Sequence, residues 1–214
     1  MAQSDRVRFV GKHKIRMSWI EVLGEVLSFV TGVVAVYLTA RNSIWNWWWG
    51  VANVLVSGWV FFGSQLYSDA LLQIACFLPM QFYGWWVWKK AGPHHADDLP
   101  VTRLTPAACA VTLVAIAAAS VGWGELMKTH TNASQPFLDA TLAMASVAAQ
   151  YLDTRKKLES WWLWIAIDVF SAFYLYPKQH LYVIAAEYAV FLGLAVWGLW
   201  QWAKLARAKA AAPA

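Results

Sequence analysis

Polar side chains recur inside the apolar stretches of this 214-residue chain at spacings that place them on single helix faces. Trp49 and Asn53 stand one helical turn apart in one such stretch, and Trp164 and Asp168 stand one turn apart in another. An indole can cover a flat ring, whereas an amide or a carboxylate can bind hydroxyl groups or a positive charge. These faces therefore predict a cavity that binds a flat, polar molecule.

The candidate binding residues combine aromatic faces with polar groups placed inside apolar segments. A charged side chain at the centre of a spanning helix costs about 2.5 to 3.5 kcal/mol on insertion scales, so it should face a cavity or another polar group. A competing interpretation is that the amides bridge helices and the tryptophans form interface belts. The candidates are Trp45, Trp48, Trp49, Asn53, Gln73, Gln150, Trp161, Trp164 and Asp168.

The composition indicates that membrane-spanning helices hold these residues. The chain is 60% hydrophobic and 14% charged, with a mean hydropathy of +0.43, whereas soluble domains carry about 25% charged residues. Open-ended segments in lipid must satisfy their own backbone hydrogen bonds, which favours helices. The net charge of +5 could indicate nucleic acid, but Lys and Arg lie at the segment boundaries and chain ends, as membrane topology signals do. We expect a lipid bilayer and no nucleic acid as partner.

Seven apolar stretches have the length that a spanning helix needs, so the sequence predicts an all-α membrane protein with seven transmembrane helices. With seven spans, most Lys and Arg in the later loops fall on the side of the C-terminus. The positive-inside bias therefore favours a cytoplasmic C-terminus, although the basic residues of the N-terminal arm oppose this orientation. The predicted stretches are 17–40, 44–67, 69–89, 105–126, 134–151, 160–177 and 179–203.

An internal repeat organises these helices. A shift of 115 residues places Trp47 on Trp162 and Asn53 on Asp168, and it indicates that the first three helices recur as the last three. The unpaired fourth helix makes both copies point the same way, and such parallel repeats bind substrate between the copies near mid-membrane. In this register, Asn53 and Asp168 face one cavity from opposite sides. We expect Asn53 to bind neutral polar groups of a ligand and Asp168 to compensate a positive charge on it. The predicted parts are an arm at 1–16, a first repeat at 17–89, a linker with the fourth helix at 90–133, a second repeat at 134–203 and a tail at 204–214.

Chemistry other than transport has little support in the sequence. No nucleophile with a base, metal cluster or phosphate-binding loop is visible, and Cys76 and Cys109 stand alone, so we expect no enzyme, cofactor or direct ATP coupling. The buried acids form no continuous line between the two faces, which favours passive transport over proton coupling. An alternative of a different class is a substrate-binding membrane subunit that requires an energising partner.

Several short motifs carry a resemblance to a known family. They are Trp45-Asn46-Trp47-Trp48, Leu66-Tyr67-Ser68-Asp69, Tyr83-Gly84-Trp85-Trp86, Trp161-Trp162-Leu163-Trp164 and Leu181-Tyr182. Across nearly all of residues 17–203, the chain resembles the PnuC family of nicotinamide riboside transporters, which lies within the wider Pnu group of vitamin carriers.

The resemblance implies a three-plus-one-plus-three arrangement like that of SWEET sugar transporters, a homotrimer and a bacterial inner membrane location. It also implies facilitated diffusion of nicotinamide riboside, which a cytoplasmic kinase then traps for NAD biosynthesis. This nucleoside carries a pyridinium charge, a carboxamide and ribose hydroxyls, and a cation over an indole gains roughly 0.5 to 2 kcal/mol. Sibling carriers for thiamine, riboflavin or deoxynucleosides would use the same frame, so the exact ligand stays open.

Overall fold

The computed structural model describes residues 19–63, 67–91, 99–131, 135–178 and 182–211. The predicted arm at 1–16 lies outside these ranges. Secondary structure in the described ranges is helical, apart from one isolated bridge between Thr102 and Lys157. The α-helices are α1 (Trp19–Ala40), α2 (Asn46–Gly63), α3 (Tyr67–Leu72), α4 (Leu78–Lys90), α5 (Pro106–His130), α6 (Pro136–Thr154), α7 (Glu159–Phe170), α8 (Tyr176–Lys178) and α9 (Tyr182–Ala211).

Two π-helical turns join neighbouring helices into longer spanning units. Gln73–Phe77 connects α3 to α4, and Ser171–Leu175 connects α7 to α8. Each π turn ends two residues before a proline, Pro79 or Pro177. Proline has no N–H and its ring clashes with the carbonyl four residues earlier, so a wider preceding turn relieves the clash. The described residues therefore form seven spanning units, as the sequence predicted.

The spanning units follow the predicted apolar stretches closely, with one extension at the C-terminus. Helix α9 continues to Ala211, although the sequence predicted a tail from 204 onward; Ala, Lys, Leu and Arg dominate this segment, and all are strong helix formers. The units built by α2, α6 and α7–α8 carry most of the polar candidates. By length and composition, the other four units can cross a membrane. Their apolar segments are Val22–Ala40, Asp69–Lys90, Pro106–His130 and Tyr182–Ala208.

The helices pack as two three-helix groups. In the first, α2 packs against α1, α3 and α4; in the second, α7 packs against α6 and α9. Helix α5 packs along α6, beside the second group. The groups meet where α1 contacts α9 and where α4 contacts α6. This packing confirms the predicted arrangement of two repeats, with one additional helix that lies between them in the sequence.

The register of the repeat differs from the predicted one. The turns before α2 and α7 each contain one residue with a left-handed backbone, Asn42 (φ 60°) and Lys156 (φ 48°), which stand 114 residues apart. The buried tryptophans Trp47 and Trp161 follow these residues at the same distance. Trp47 therefore corresponds to Trp161, and the predicted shift of 115 residues is wrong in this part of the chain.

The π turns explain why the sequence shift was misplaced. Each turn adds one residue, but the first lies in the third helix of its repeat and the second lies in the second helix. The shift between equivalent residues is 114 before the insertion in the second helix. It is 115 from there to the insertion in the third helix, and α3 and α9 accordingly begin at Tyr67 and Tyr182. Asp168 precedes the second insertion, so its counterpart is Val54. The predicted equivalence of Asn53 and Asp168 is wrong.

Four buried tryptophans pack the two repeats together. Trp47 meets Trp88 edge to face, with ring centroids 5.3 Å apart, and Trp161 meets Trp202 in the same way at 5.4 Å. The rings of Trp88 and Trp202 lie 6.3 Å apart and connect the two pairs. Trp202 also donates its Nε1–H to the carbonyl of Thr39 at 3.0 Å. Such aromatic pairs contribute roughly 0.5 to 1.5 kcal/mol each beyond area burial, so this cluster is a structural core.

Candidate functional site

Charge is separated between the two ends of the helices. We call one end the basic end, because it carries most of the described Lys and Arg, and the other the acidic end. The acidic end carries Glu25, Asp69, Asp139 and Glu187, together with the Glu125–Lys128 pair and with Lys178, which lies over Tyr174. The basic end carries Arg41, Lys89, Lys90, Arg103, Arg155, Lys156, Lys157, Lys204 and Arg207.

Gly32 of α1 is a meeting point of the two repeats. A Cβ atom at this glycine would lie 3.1 Å from Nδ2 of Asn53 and 3.2 Å from Cζ of Phe191. Asn53 belongs to α2 and Phe191 to α9, so the two repeats converge here. The Phe191 ring makes edge contacts with Phe29 at 6.0 Å and Tyr188 at 6.4 Å between centroids. An amide and an aromatic group therefore meet midway along the helices.

Asp168 of α7 extends this cluster with a buried carboxylate. It is 4% exposed and close enough to Tyr188 to interact with it electrostatically. Tyr188 stacks on Tyr176 with ring centroids 5.1 Å apart, and their hydroxyls lie close enough to interact. Among the residues that the structure describes, no Lys, Arg or His forms an ion pair with Asp168. A buried carboxylate costs several kcal/mol without a partner, so this position suits a positively charged or hydrogen-bonding ligand.

Acidic side chains lie between this cluster and the acidic end of the helices. Asp69 of α3 interacts electrostatically with Asp139 of α6, and both interact with the hydroxyl of Tyr176. Glu187 of α9 lies near Tyr176 as well. Acidic groups from both repeats therefore lead from the acidic end toward Asp168, an arrangement that attracts cations.

Asn53 has a structural role in addition to its place near the cluster. Its Nδ2 donates a hydrogen bond to the carbonyl of Ser28 at 2.7 Å and a longer one to Oγ1 of Thr31 at 3.4 Å. One turn along, the hydroxyls of Ser28 and Ser57 are hydrogen-bonded at 2.5 Å. The amide nitrogen thus bridges α1 and α2, as the helix-bridging interpretation expects.

The two glutamine candidates are half-buried on different elements. Gln73 begins the first π turn, and its Cβ lies 3.6 Å from where a Cβ of Gly58 in α2 would be. π turns inside helices are frequent at functional sites, which favours a role for Gln73. Gln150 lies near the end of α6, toward the basic end.

Two tryptophan candidates take part in packing. Trp161 is 1% exposed, and its ring covers Gly198 of α9 inside the tryptophan cluster. This placement favours a core role over ligand contact. Trp164 is half-buried, and its Nε1 donates a hydrogen bond to Oδ2 of Asp153 at 2.8 Å, which ties α7 to α6.

The other three tryptophan candidates are exposed at the start of α2. Trp45 is 64% exposed, Trp48 45% and Trp49 39%. Trp45 and Trp48 line a small cavity of about 150 Å³ at the basic end together with Trp85 and Lys89. Exposed indoles beside a lysine at a helix end are typical of a membrane interface belt.

We expect Trp164→Phe to lower the thermal stability of the protein, because it leaves the buried Asp153 carboxylate without its indole donor. A lost partner of a buried polar group costs about 1 to 3 kcal/mol. Trp49→Phe is the matched control and should melt within error of the parent, since the Trp49 ring is exposed. Thermal unfolding in detergent measures both, and equal melting temperatures for the two variants would show that the Trp164 hydrogen bond is dispensable.

The binding residues predicted from the sequence do not include three aromatic members of the cluster, although all three lie within the stretch that resembles the PnuC family. Tyr176, Tyr188 and Phe191 are partly buried where the two repeats meet. Tyr188 and Phe191 stand three residues apart on one face of α9, which is the only local signal of a shared role. In a chain with 16 Trp, that spacing does not distinguish a site from ordinary packing.

The fold and the site together define a class of protein. Seven spanning helical units in two parallel repeats surround a buried carboxylate, an amide and aromatic rings midway along the helices, which is the plan of a membrane transporter. A match to a family model identifies the family. The chain belongs to the nicotinamide mononucleotide transporter family, whose model matches residues 18–204.

Curated relatives have two kinds of named substrate. The chain is 27% identical over 226 residues to the nicotinamide riboside transporter PnuC of Escherichia coli (strain K12), covering 92% of this chain and 90% of that protein. It is 25% identical over 189 residues to the riboflavin/roseoflavin transporter RibM of Streptomyces davaonensis, covering 86% and 84%.

A solved structure has the same fold. The crystal structure of the vitamin B3 transporter PnuC superimposes with a TM-score of 0.70 at 22% identity, over 94% of this chain and 95% of that one. The predicted fold class is therefore confirmed, and so is the prediction of a transporter, from the family match.

Proposed function

We propose that this protein carries nicotinamide riboside across the membrane by facilitated diffusion. The observation that carries the proposal is the buried Asp168 carboxylate, which lies near Tyr188 and has no described cationic partner. A fixed pyridinium charge would compensate it. The PnuC relative is named for the same nucleoside, which supports this ligand.

The proposed binding mode divides the ligand between the two repeats. The pyridinium ring lies near Asp168 and against Tyr188, where a cation over an aromatic face gains roughly 0.5 to 2 kcal/mol. Oδ1 of Asn53 and the amide of Gln73 bind the carboxamide or the ribose hydroxyls. Trp164 and Gln150 stay candidates toward the basic end. We assign Trp45, Trp48 and Trp49 to the interface belt, and Trp161 to the core.

The charges of the site favour the nucleoside over the mononucleotide for which the family is described. A phosphate group needs cationic or multiple N–H partners. The described Lys and Arg side chains lie near the helix ends, whereas the central cluster offers a carboxylate that repels phosphate. Riboflavin is the second candidate, because the RibM relative is named for it, but its neutral ring does not require Asp168.

A binding titration on the purified protein tests this assignment. Nicotinamide riboside should bind most tightly, and nicotinamide mononucleotide should bind at least tenfold more weakly, a difference of about 1.4 kcal/mol or more, because no described Lys or Arg of the central cluster pairs with its phosphate. Riboflavin serves as the comparison with a neutral ring. Tighter binding of riboflavin or of the mononucleotide would contradict the proposed ligand.

We place the protein as a homotrimer in the bacterial inner membrane, supplying NAD biosynthesis, with its basic end toward the cytoplasm. The positive-inside bias supports this orientation. Helix α5 supports the assembly, because it packs along α6 and leaves Val111, Val114 and Val121 exposed for lipid or another copy. A substrate then enters at the acidic end, where Asp69 and Asp139 attract its positive charge.

A further inference from the structure

A cavity at the basic end lies away from the central cluster. Its volume is about 490 Å³, within the range of small-molecule sites in proteins. It opens between the end of α4, the segment before α5 and the end of α6. Apolar side chains form most of the wall, among them Val87, Leu99, Leu104 and Leu152. Arg155 and Lys157 add two positive charges to it.

Backbone hydrogen bonds hold the cavity open in this shape. The segment before α5 is fixed to the turn between α6 and α7, because the N–H of Thr102 donates to the carbonyl of Lys156 at 3.0 Å. The N–H of Leu158 in turn donates to the carbonyl of Thr102 at 2.9 Å. Lys156 is fully buried, and its Nζ donates to the carbonyl of Leu99 at 3.3 Å. The wall is therefore preformed.

Neutral groups hold the two cations in place. Lys157 donates from Nζ to Oγ1 of Thr102 at 2.8 Å. The guanidinium of Arg155 lies over the rings of Tyr83 at 5.4 Å and Tyr151 at 5.8 Å. A hydroxyl and aromatic faces orient a cation without cancelling its charge. Both side chains thus keep their positive charge available to a ligand.

Within the described ranges, the acids nearest to the cavity are engaged elsewhere. Asp153 accepts a hydrogen bond from Trp164, and Glu159 accepts one from the backbone N–H of Leu104 at 2.9 Å. Glu159 also lies 4.0 Å from Nε of Arg103. Within the part of the chain that the structure describes, Arg155 and Lys157 form no ion pair. The cavity therefore combines an apolar wall with positive charge that the described residues leave uncompensated.

We propose that this cavity binds the phosphate headgroup of an anionic phospholipid, with the phosphate between Arg155 and Lys157. The glycerol and the first acyl carbons lie against Val87, Leu104 and Leu152. Basic pockets between transmembrane helices bind anionic headgroups through such charge complementarity. A soluble phosphate ester shares the headgroup chemistry, but the mostly apolar wall at the membrane boundary favours a lipid.

Native mass spectrometry of the full-length protein in detergent tests the proposal, with phosphatidylglycerol, phosphatidylcholine and glycerol 3-phosphate as probes. The parent protein should retain phosphatidylglycerol in preference to the other two. The double variant Arg155→Gln/Lys157→Gln should bind phosphatidylglycerol about 30-fold more weakly, since each cation near a membrane surface contributes about 1 kcal/mol. Lys204→Gln is the matched control, because Lys204 is exposed at the same end and lies over Trp200, away from the cavity.

The outcomes separate the possible sources of the phosphate. Parental phosphatidylglycerol affinity in the double variant would overturn the proposal, as would an equal loss in Lys204→Gln. Glycerol 3-phosphate binding as tightly as phosphatidylglycerol would assign the cavity to a soluble phosphate ester and would also overturn it. A parent protein without a preference for phosphatidylglycerol would also overturn the proposal, and this comparison does not require the double variant to fold.

Discussion

Replacing Asp168 with asparagine should weaken the binding of nicotinamide riboside by roughly 10- to 150-fold. The carboxylate is buried and compensates the pyridinium charge in the proposed complex. The ring nitrogen has no N–H, so the pairing is between charges, and we expect it to contribute about as much as a hydrogen bond to a charged group, roughly 1.5 to 3 kcal/mol. The variant keeps the size of the side chain, so the packing around Tyr188 should persist. Calorimetric titration of the purified variant and parent measures the change.

The reduced, uncharged dihydro form of the nucleoside is the matched control ligand. It should lose far less affinity in Asp168→Asn, because its ring carries no charge for the carboxylate to compensate. Asn53→Ala should weaken both ligands to a similar extent, since the amide binds neutral polar groups. Equal losses for both ligands in Asp168→Asn would mean that the carboxylate only holds helices together.

Gly198→Ala should destabilise the protein strongly. The added Cβ would lie 2.5 Å from Cζ3 of Trp161, which cannot move because Trp202 packs against it edge to face. Overpacking of this kind typically costs 1 to 3 kcal/mol, or about 2 to 12 °C in melting temperature for a chain of this size. Gly84→Ala should behave alike, because its Cβ would lie 2.5 Å from Cζ2 of Trp47.

Gly193→Ala supplies a control in the same helix. Apart from the adjacent residues and the local helix backbone, no described atom lies within 4 Å of a Cβ built at this glycine, so the substitution should leave the melting temperature unchanged or raise it slightly through better helix propensity. Thermal unfolding followed by tryptophan fluorescence compares the three variants. Similar melting temperatures for Gly193→Ala and Gly198→Ala would show that the tryptophan cluster does not depend on close packing.

The sequence predicts the helices well because the membrane imposes simple rules on it. A spanning segment must be long and apolar, so seven such stretches could be delimited without tertiary information. The repeat register was less accessible. Two π turns, each preceding Pro79 or Pro177, insert one residue at different places in the two copies, and a single shift cannot describe both. The prolines were visible, but their effect on the register was not.

The site was only partly accessible for a similar reason. Asp168 stands out locally, because a carboxylate inside an apolar helix is costly. Its partner Tyr188 depends on how α7 and α9 meet, which no local pattern records. The burial of Trp161 could not be predicted from the sequence, because Gly198, which its ring covers, is distant in sequence. Burial of an aromatic ring depends on tertiary packing. The sequence therefore does not tell which tryptophans belong to the core, to the interface belt or to the binding site.

Uptake of labelled nicotinamide riboside into liposomes that contain only the purified protein tests the central claim most directly. With the membrane potential held at zero, so that no electrical force acts on the cationic nucleoside, the protein alone should let it equilibrate at equal inside and outside concentrations, with or without an imposed proton or sodium gradient. Asp168→Asn should slow this uptake in the same assay. Accumulation above the outside concentration under an ion gradient would contradict facilitated diffusion, and absence of uptake until a further protein is added would identify a subunit that needs an energising partner.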